Sequence, residues 1–252
     1  MTAGASDFVW YDVMTTDTAK AAEFYKAVIG WNVTATGPND YLIFSVGSAM
    51  VAGLMAIPFD DHKAPPAWSG YIGVDDVDAY TRKVEDAGGA TYVPPTDIAD
   101  VGRFSVVADP QGAMFMLFRV DGPKAPEVAP MTPGHIGWHE LLTSDPEAAL
   151  SFYSQLFGWT RAEALEMGPL GTYQMFSAGA RPIGGMMKMP SEVLHPYWLF
   201  YINVKALDEA VAATLAHGGR IVQEPTEVPG GSWVAQGIDP QGAVFAMVAS
   251  HR

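Results

Sequence analysis

The sequence predicts an α+β protein built from two tandem copies of one domain, each copy a doubled strand–helix–strand unit. Three observations predict it. An internal repeat runs in register through most of the 252 residues. Two stretches in each copy space their apolar residues at three and four positions, as helices do. Short extended stretches bounded by Gly, Pro and Asp separate and follow them.

The repeat carries the most weight. Trp10-Tyr11-Asp12 returns as Trp138-His139-Glu140, Phe24-Tyr25 as Phe152-Tyr153, and Gly30-Trp31 as Gly158-Trp159. Gly53-Leu54-Met55 with Pro58 returns as Gly185-Met186-Met187 with Pro190, and Gly88-Gly89 as Gly218-Gly219. Asp109-Pro110-Gln111-Gly112-Ala113 returns unchanged as Asp239-Pro240-Gln241-Gly242-Ala243. The offset is 128 residues at Trp10 and 130 at Asp109, so the pairs stay in register. The expected domains are 1–120 and 135–252. Residues 121–134 hold Pro123, Pro126, Pro130 and Pro133, which withhold backbone donors, and read as a semi-rigid linker.

Within the first copy, Phe8–Met14 is strand-like. Asp17 can cap a helix whose buried face is Ala21, Phe24, Tyr25 and Val28, and Gly30 suits the left-handed residue beyond its end. In the second copy Asp145 is the cap and Pro146 takes the favoured first helical position. Extended stretches follow at 41–46 and 50–57. A strand at 71–74 leads into a second helix with Val77, Tyr80, Val84 and Ala87 in register, stopped by Gly88-Gly89. Strands at 104–108 and 113–118 are joined through a type I turn with Pro110 second and Gly112 fourth. The helices should cover one sheet face.

Composition narrows the function. The formal charge of −14 argues against nucleic acid and an anionic membrane surface. No cysteine is present, which removes disulfides, zinc–thiolate sites and thiol nucleophiles. No apolar run is long enough to span a bilayer, and the start Met1-Thr2-Ala3-Gly4-Ala5-Ser6-Asp7 has no secretory pattern, so a cytoplasmic location is expected. No GxSxG elbow, P-loop or dinucleotide fingerprint stands at a fitting strand–helix junction.

These motifs resemble the vicinal oxygen chelate superfamily of glyoxalases, bleomycin-resistance proteins and extradiol dioxygenases. The Asp-x-x-x-Ala-x-x-Phe-Tyr helix with its Gly-Trp ending, the Ala87-Gly88-Gly89 helix end and the Asp-Pro-Gln-Gly turn carry the resemblance, over nearly all of both halves. It implies glyoxalase-like domains, each of two βαβββ modules in a cupped, partly open sheet that holds a small organic molecule. It also implies divalent-metal ligands on the first and late strands of the modules. Aligned by sequence, those positions fall at Trp10, Ser69, Met116 and Gly53, and at Trp138, Leu199, Ala246 and Gly185. None is a metal donor, so no metal and no cofactor is expected.

Alternation along a strand puts Trp10 with Asp12, and Trp138 with Glu140, on one face. Asp12, Glu140 and His139 are the catalytic candidates, because a carboxylate desolvated beside Trp suits proton transfer. Trp10, Trp138, Tyr71, Tyr201, Asn203 and Arg103 are the ligand-binding candidates; Arg103 falls in a loop able to meet an anion. The bland alternatives are acids satisfied by a neighbouring Tyr or N–H, and core aromatics with bonded tips. His62, His135, His195, His217 and His251 form no cluster, and His135 and His139 lie about 13 Å apart on a strand, too far for one ion. Three functions follow: a metal-independent lyase, isomerase or tailoring enzyme; a non-catalytic binder of a drug or natural product, suited to a cationic or aromatic ligand; and a metal-dependent glyoxalase-like enzyme with relocated ligands. A monomer whose halves act as a pseudo-dimer suffices, and a homodimer stays open.

Overall fold

A computed structural model describes residues 6–35, 41–57, 64–122, 126 and 128–252. Pro58, His62 and residues 123–125 of the linker lie outside them.

The first half runs β1 (Phe8–Thr15), α1 (Thr18–Ile29), β2 (Asn32–Ala35), β3 (Leu42–Val46), β4 (Ala49–Ala56), then β5 (Ala67–Gly73), α2 (Val77–Asp86), β6 (Ala90–Ile98), β7 (Gly102–Ala108) and β8 (Met114–Val120). The second repeats it: β9 (Ile136–Thr143), α3 (Pro146–Phe157), β10 (Thr160–Glu166), β11 (Thr172–Ala178), β12 (Arg181–Lys188), β13 (Tyr197–Asn203), α4 (Leu207–Ala216), β14 (Arg220–Glu227), β15 (Trp233–Ile238) and β16 (Val244–Ala249). Each half forms one eight-stranded sheet, in the orders β2-β3-β4-β1-β5-β8-β7-β6 and β10-β11-β12-β9-β13-β16-β15-β14. The tandem α+β reading thus stands, as two βαβββ modules per half.

The helices form where capping and periodicity place them. Asp17 accepts from Lys20 N and Asp145 from Ala148 N, both at 3.0 Å. Gly30 and Gly158 close α1 and α3 at φ +82° and +70°, where a Cβ would be strained. Four strands went unread in the sequence: β2, β6 and their copies β10 and β14. β6 contains Pro94 and Pro95, and β14 contains Pro225. Proline is tolerated there because both are edge strands whose ladder to the inner neighbour is irregular at the prolines, between Val93 and Thr96 and between Gln223 and Thr226. β7 begins at Gly102, so Arg103 lies in a strand and not in a loop.

The compact units cut across the halves. One comprises Met1–Val9, Gly70–Pro126 and His139–Trp198; the other comprises Trp10–Ser69, Glu127–Trp138 and Leu199–Arg252. In the second unit, α1 packs on the last module: Phe24 meets Phe245 edge-on, and Tyr25 donates to Asp239 Oδ2 at 3.1 Å. Trp68 Nε1 donates to the same Tyr25 hydroxyl at 2.8 Å. In the first unit, Phe115 packs against Phe152, Tyr153 donates to Asp109 Oδ2 at 3.1 Å, and Trp198 Nε1 donates to Tyr153 at 3.1 Å. The other oxygen of each Asp accepts three backbone N–H groups of its own turn, those of residues 111–113 and 241–243. The motif residues Phe-Tyr and Asp-Pro-Gln-Gly are therefore the two ends of one buried latch, made twice. Trp31 and Trp159 add a tie each, donating to Gly134 O at 2.8 Å and Ser6 O at 2.6 Å.

Candidate functional site

Residues paired across a ladder point to the same face. The registers therefore define four short rows. In the first half they are Ile43–Gly53–Asp12 and Tyr71–Met116–Val106. In the second they are Met175–Gly185–Glu140 and Tyr201–Ala246–Gln236. The next residue along a strand of each row (Phe44, Phe115, Phe176 and Phe245) turns into the aromatic core. The rows therefore face away from that core.

Asp12 is only 3% exposed. Its Oδ1 accepts from the Tyr41 hydroxyl at 2.7 Å and from Trp10 Nε1 at 3.0 Å. The same indole N–H lies 3.0 Å from Tyr41 OH. Gly53 makes this clasp possible, since a Cβ there would overlap both Tyr41 OH and Asp12 Oδ1. Burial and the Asp12 charge push the Tyr41 phenol well above its usual range, so it stays a donor. In the second half the ring of Tyr173 covers Gly185, where a Cβ would overlap it. Burial and the Glu140 charge likewise raise Tyr197. Both carboxylates thus sit buried among protonated phenols.

The other two rows differ from each other. Tyr71 packs edge-on against Phe118, with ring centroids 5.7 Å apart. Tyr201 instead accepts from Gln236 Nε2 at 3.2 Å across Ala246. Asn203 lies buried beside Gly137, where a Cβ would come 2.7 Å from its Nδ2. The first half exchanges those sizes: a Cβ on Gly73 would come 2.7 Å from Val9 Cγ1. Asn203 thus fills the space that a valine fills in the other copy.

Two candidates change role. His139 stacks on Phe8, with centroids 4.2 Å apart, and its Nδ1 lies 2.6 Å from Ile183 O. Burial lowers its pKa to about 3, so it is neutral and its Nδ1–H donates to that carbonyl. It points to the sheet face opposite Glu140, as neighbours on a strand do. It is a core residue and not a proton exchanger beside that acid. Arg103 donates to both oxygens of Asp78 at 2.7 and 2.9 Å, and to Asp97 at 2.9 Å. Its guanidinium is engaged by acids of α2 and β6, which removes it as a receptor for an anion. Trp138 is half-buried on β9.

The metal positions implied by the resemblance also move. The ladders set Asp12 across from Gly53, Glu140 from Gly185, Tyr71 from Met116 and Tyr201 from Ala246. The first-strand positions therefore lie at these residues, two beyond Trp10, Trp138, Ser69 and Leu199. Two rows lie in each compact unit: Asp12 with Gly53 and Tyr201 with Ala246 in one, Glu140 with Gly185 and Tyr71 with Met116 in the other. Among the described residues no group of three or more His, Cys, Asp or Glu is placed to hold a metal ion. The donor set does not fit a divalent metal.

Sequence reasoning missed Tyr41, Tyr173, Tyr197 and Gln236. A signal existed for two of them: Tyr41 precedes Phe44 by three residues, as Tyr173 precedes Phe176.

Comparison with known proteins follows the same lines. The model of the Glyoxalase/Bleomycin resistance protein/Dioxygenase superfamily matches residues 7–117 and 133–247. "Putative glyoxylase CFP32" of Mycobacterium tuberculosis is 34% identical over 95% of this chain and 93% of its own length. "Anthracycline biosynthesis protein DnrV" of Streptomyces peucetius is 32% identical over 95% of this chain and 91% of its own length. Among solved structures, the Mn(II)-bound glyoxalase of Novosphingobium aromaticivorans shares the fold with TM-score 0.70 at 16% identity, over 98% of this chain and 83% of that one. The dioxygenase LapB of Pseudomonas sp. KL28 does so with TM-score 0.68 at 12% identity, over 99% and 93%. This fold can enclose a small organic molecule. No helix among the described residues is long and apolar enough to cross a membrane.

Proposed function

We propose that this chain, which belongs to the Glyoxalase/Bleomycin resistance protein/Dioxygenase superfamily, binds a small planar organic molecule and returns it unchanged, without metal chelation. The observation that carries this reading is the Asp12 clasp. At the position where a chelating protein needs a set of donors, this chain has one buried carboxylate already held by Tyr41 and Trp10 over a glycine. Such a constellation holds a ligand by hydrogen bonds and by aromatic faces. An aromatic ligand, neutral or cationic, suits Asp12 beside Trp10, and a relative named for anthracycline biosynthesis supports the aromatic class.

Titration of the full chain with aromatic amines, followed by tryptophan fluorescence, tests this. Saturable binding, with the ligand recovered at unchanged mass, is the expected outcome. Gly53→Ala should weaken that binding roughly tenfold or more, because the new methyl forces Tyr41 off Asp12. Absence of saturable binding, or binding indifferent to Gly53→Ala, sinks the reading.

A second reading, a metal-independent lyase, isomerase or tailoring enzyme, draws on one observation: both halves keep a buried acid among protonated phenols. It requires a mass or structural change in the bound ligand that Asp12→Asn or Glu140→Gln abolishes while binding persists.

A further inference from the structure

The matching helices α2 and α4 differ in what they show to water. Arg82, Glu85 and Asp86 are exposed on α2. They return in the repeat as Ala212, Leu215 and Ala216 of α4, which are exposed as well. Leu207, Ala210 and Thr214 form the buried side of α4. Between Ala210 and Gly219 the chain carries no Asp, Glu, Lys or Arg, so beyond its first turn the outer face of α4 is uncharged. Leu215 is 57% exposed, and Val222 is 50% exposed on β14, the edge strand that α4 packs against. A helix apolar on all sides is ordinarily covered, and contiguous exposed apolar surface marks an interaction site.

Charges stand at the two ends of this face. Asp208 and Glu209 lie in the first turn of α4, and Arg220 begins β14 just beyond the helix. Asp208 is held by Arg252 at 3.1 Å. Glu209 and Arg220 are exposed, and neither has an ion pair among the described residues. One end of the face is thus acidic and the other basic.

We propose that this face binds a second copy of the chain, with the two α4 helices antiparallel about a two-fold axis at Ala212. A two-fold contact must be self-complementary, and this one is. The Glu209 end of each chain meets the Arg220 end of the other, and the two helix dipoles run opposite ways. A parallel pair would set like charges together. The small side chains of Ala212 and Ala216 let the helices approach closely, while Leu215 leaves water. The same contact on α2 would desolvate Arg82, Glu85 and Asp86. One helix face and part of a strand edge fall short of the about 1,200 Å² that stable interfaces bury, so the dimer should form at roughly tens of micromolar and come apart on dilution. The association does not depend on the ligand-binding function proposed above.

Sedimentation equilibrium of the full chain from about 5 to about 200 µM tests it, with a rise from monomer to dimer mass as the expected outcome. Leu215→Glu installs the residue type of the first half at an exposed position and should raise the dissociation constant roughly tenfold or more. Glu209→Arg sets like charges together and should weaken the dimer about threefold or more, and adding Arg220→Glu exchanges the pair and should restore it. That exchange tests the contact without relying on Leu215→Glu to fold. A chain that stays monomeric throughout overturns the inference. So does a dimer indifferent to Leu215→Glu. A dimer weakened by Glu209→Arg and not restored by the added Arg220→Glu overturns the antiparallel arrangement.

Discussion

The latches and the rows of this protein have diverged at different speeds. The latches Trp68–Tyr25–Asp239 and Trp198–Tyr153–Asp109 use the same three residue types, and the Tyr–Asp distance is 3.1 Å in both. The rows have changed at most positions: Asp12 to Glu140, Ile43 to Met175, Met116 to Ala246 and Val106 to Gln236. The difference teaches what a duplicated chain must keep. A latch joins a helix of one half to a turn of the other, so a change at either end strands a buried polar group. A row faces away from the core, so each copy can change its own without breaking a latch. The motifs that identify the family are thus the fold's fasteners.

The largest expected effect breaks a latch. Asp239→Ala removes the acceptor for three backbone N–H groups and for the Tyr25 phenol, in a site where Asp239 is 3% exposed. A loss of about 3 kcal/mol or more in urea denaturation is expected, and a similar loss for Asp109→Ala. Tyr25→Phe keeps the ring and the turn and should cost about 1 kcal/mol. If Asp239→Ala cost no more than Tyr25→Phe, the three turn bonds would contribute little, and the contrast between latch and row would lose its energetic basis.

A smaller effect separates the copies at His139 and Tyr11, which occupy matching positions on β9 and β1. Tyr11 carries no charge change near neutral pH, whereas His139 does once the chain unfolds. Its folded pKa, about 3, lies below the unfolded value of 6.5, so the unfolded state takes up the proton first. Stability from this group is full above pH 6.5 and falls as the pH drops toward 3. Between pH 7 and 5 the loss should be about 2 kcal/mol. His139→Gln should lack that part of the pH dependence, while carboxylates elsewhere titrate alike in both proteins. Parallel pH profiles for the two would mean that the ring is not held neutral.

Much of this was legible in the sequence because it is local. Asp17 and Asp145 cap helices, Gly30 and Gly158 end them, and the Asp-Pro-Gln-Gly turn closes on its own backbone. The hidden parts are set by partners distant in the chain. β6 does not read as a strand because its prolines are acceptable only at an edge, and the edge is a property of the sheet. Trp10 and Asp12 share a face by alternation, which the sequence shows, but Tyr41 reaches them from 29 residues away over Gly53. His139 looks like a chemical group beside Glu140 until alternation and the Phe8 stack assign it to the core. The latches run between halves, so no reading of either half alone predicts that the compact units interleave them.

The smallest effect sharpens the distinction between residues that hold the fold and residues that meet a ligand. A lone arginine near a strand end reads as an anion receptor, but Arg103 is already paired with Asp78 and Asp97. Asp97 is largely exposed, and surface ion pairs contribute little in water. Arg103→Ala should therefore lower the melting temperature less than either latch variant, and leave the affinity for an aromatic amine unchanged. A fall in affinity without a fall in melting temperature would return Arg103 to the ligand. It would also mean that its pairs with Asp78 and Asp97 open when the ligand binds, since a guanidinium held by three charge-assisted bonds has little else to offer.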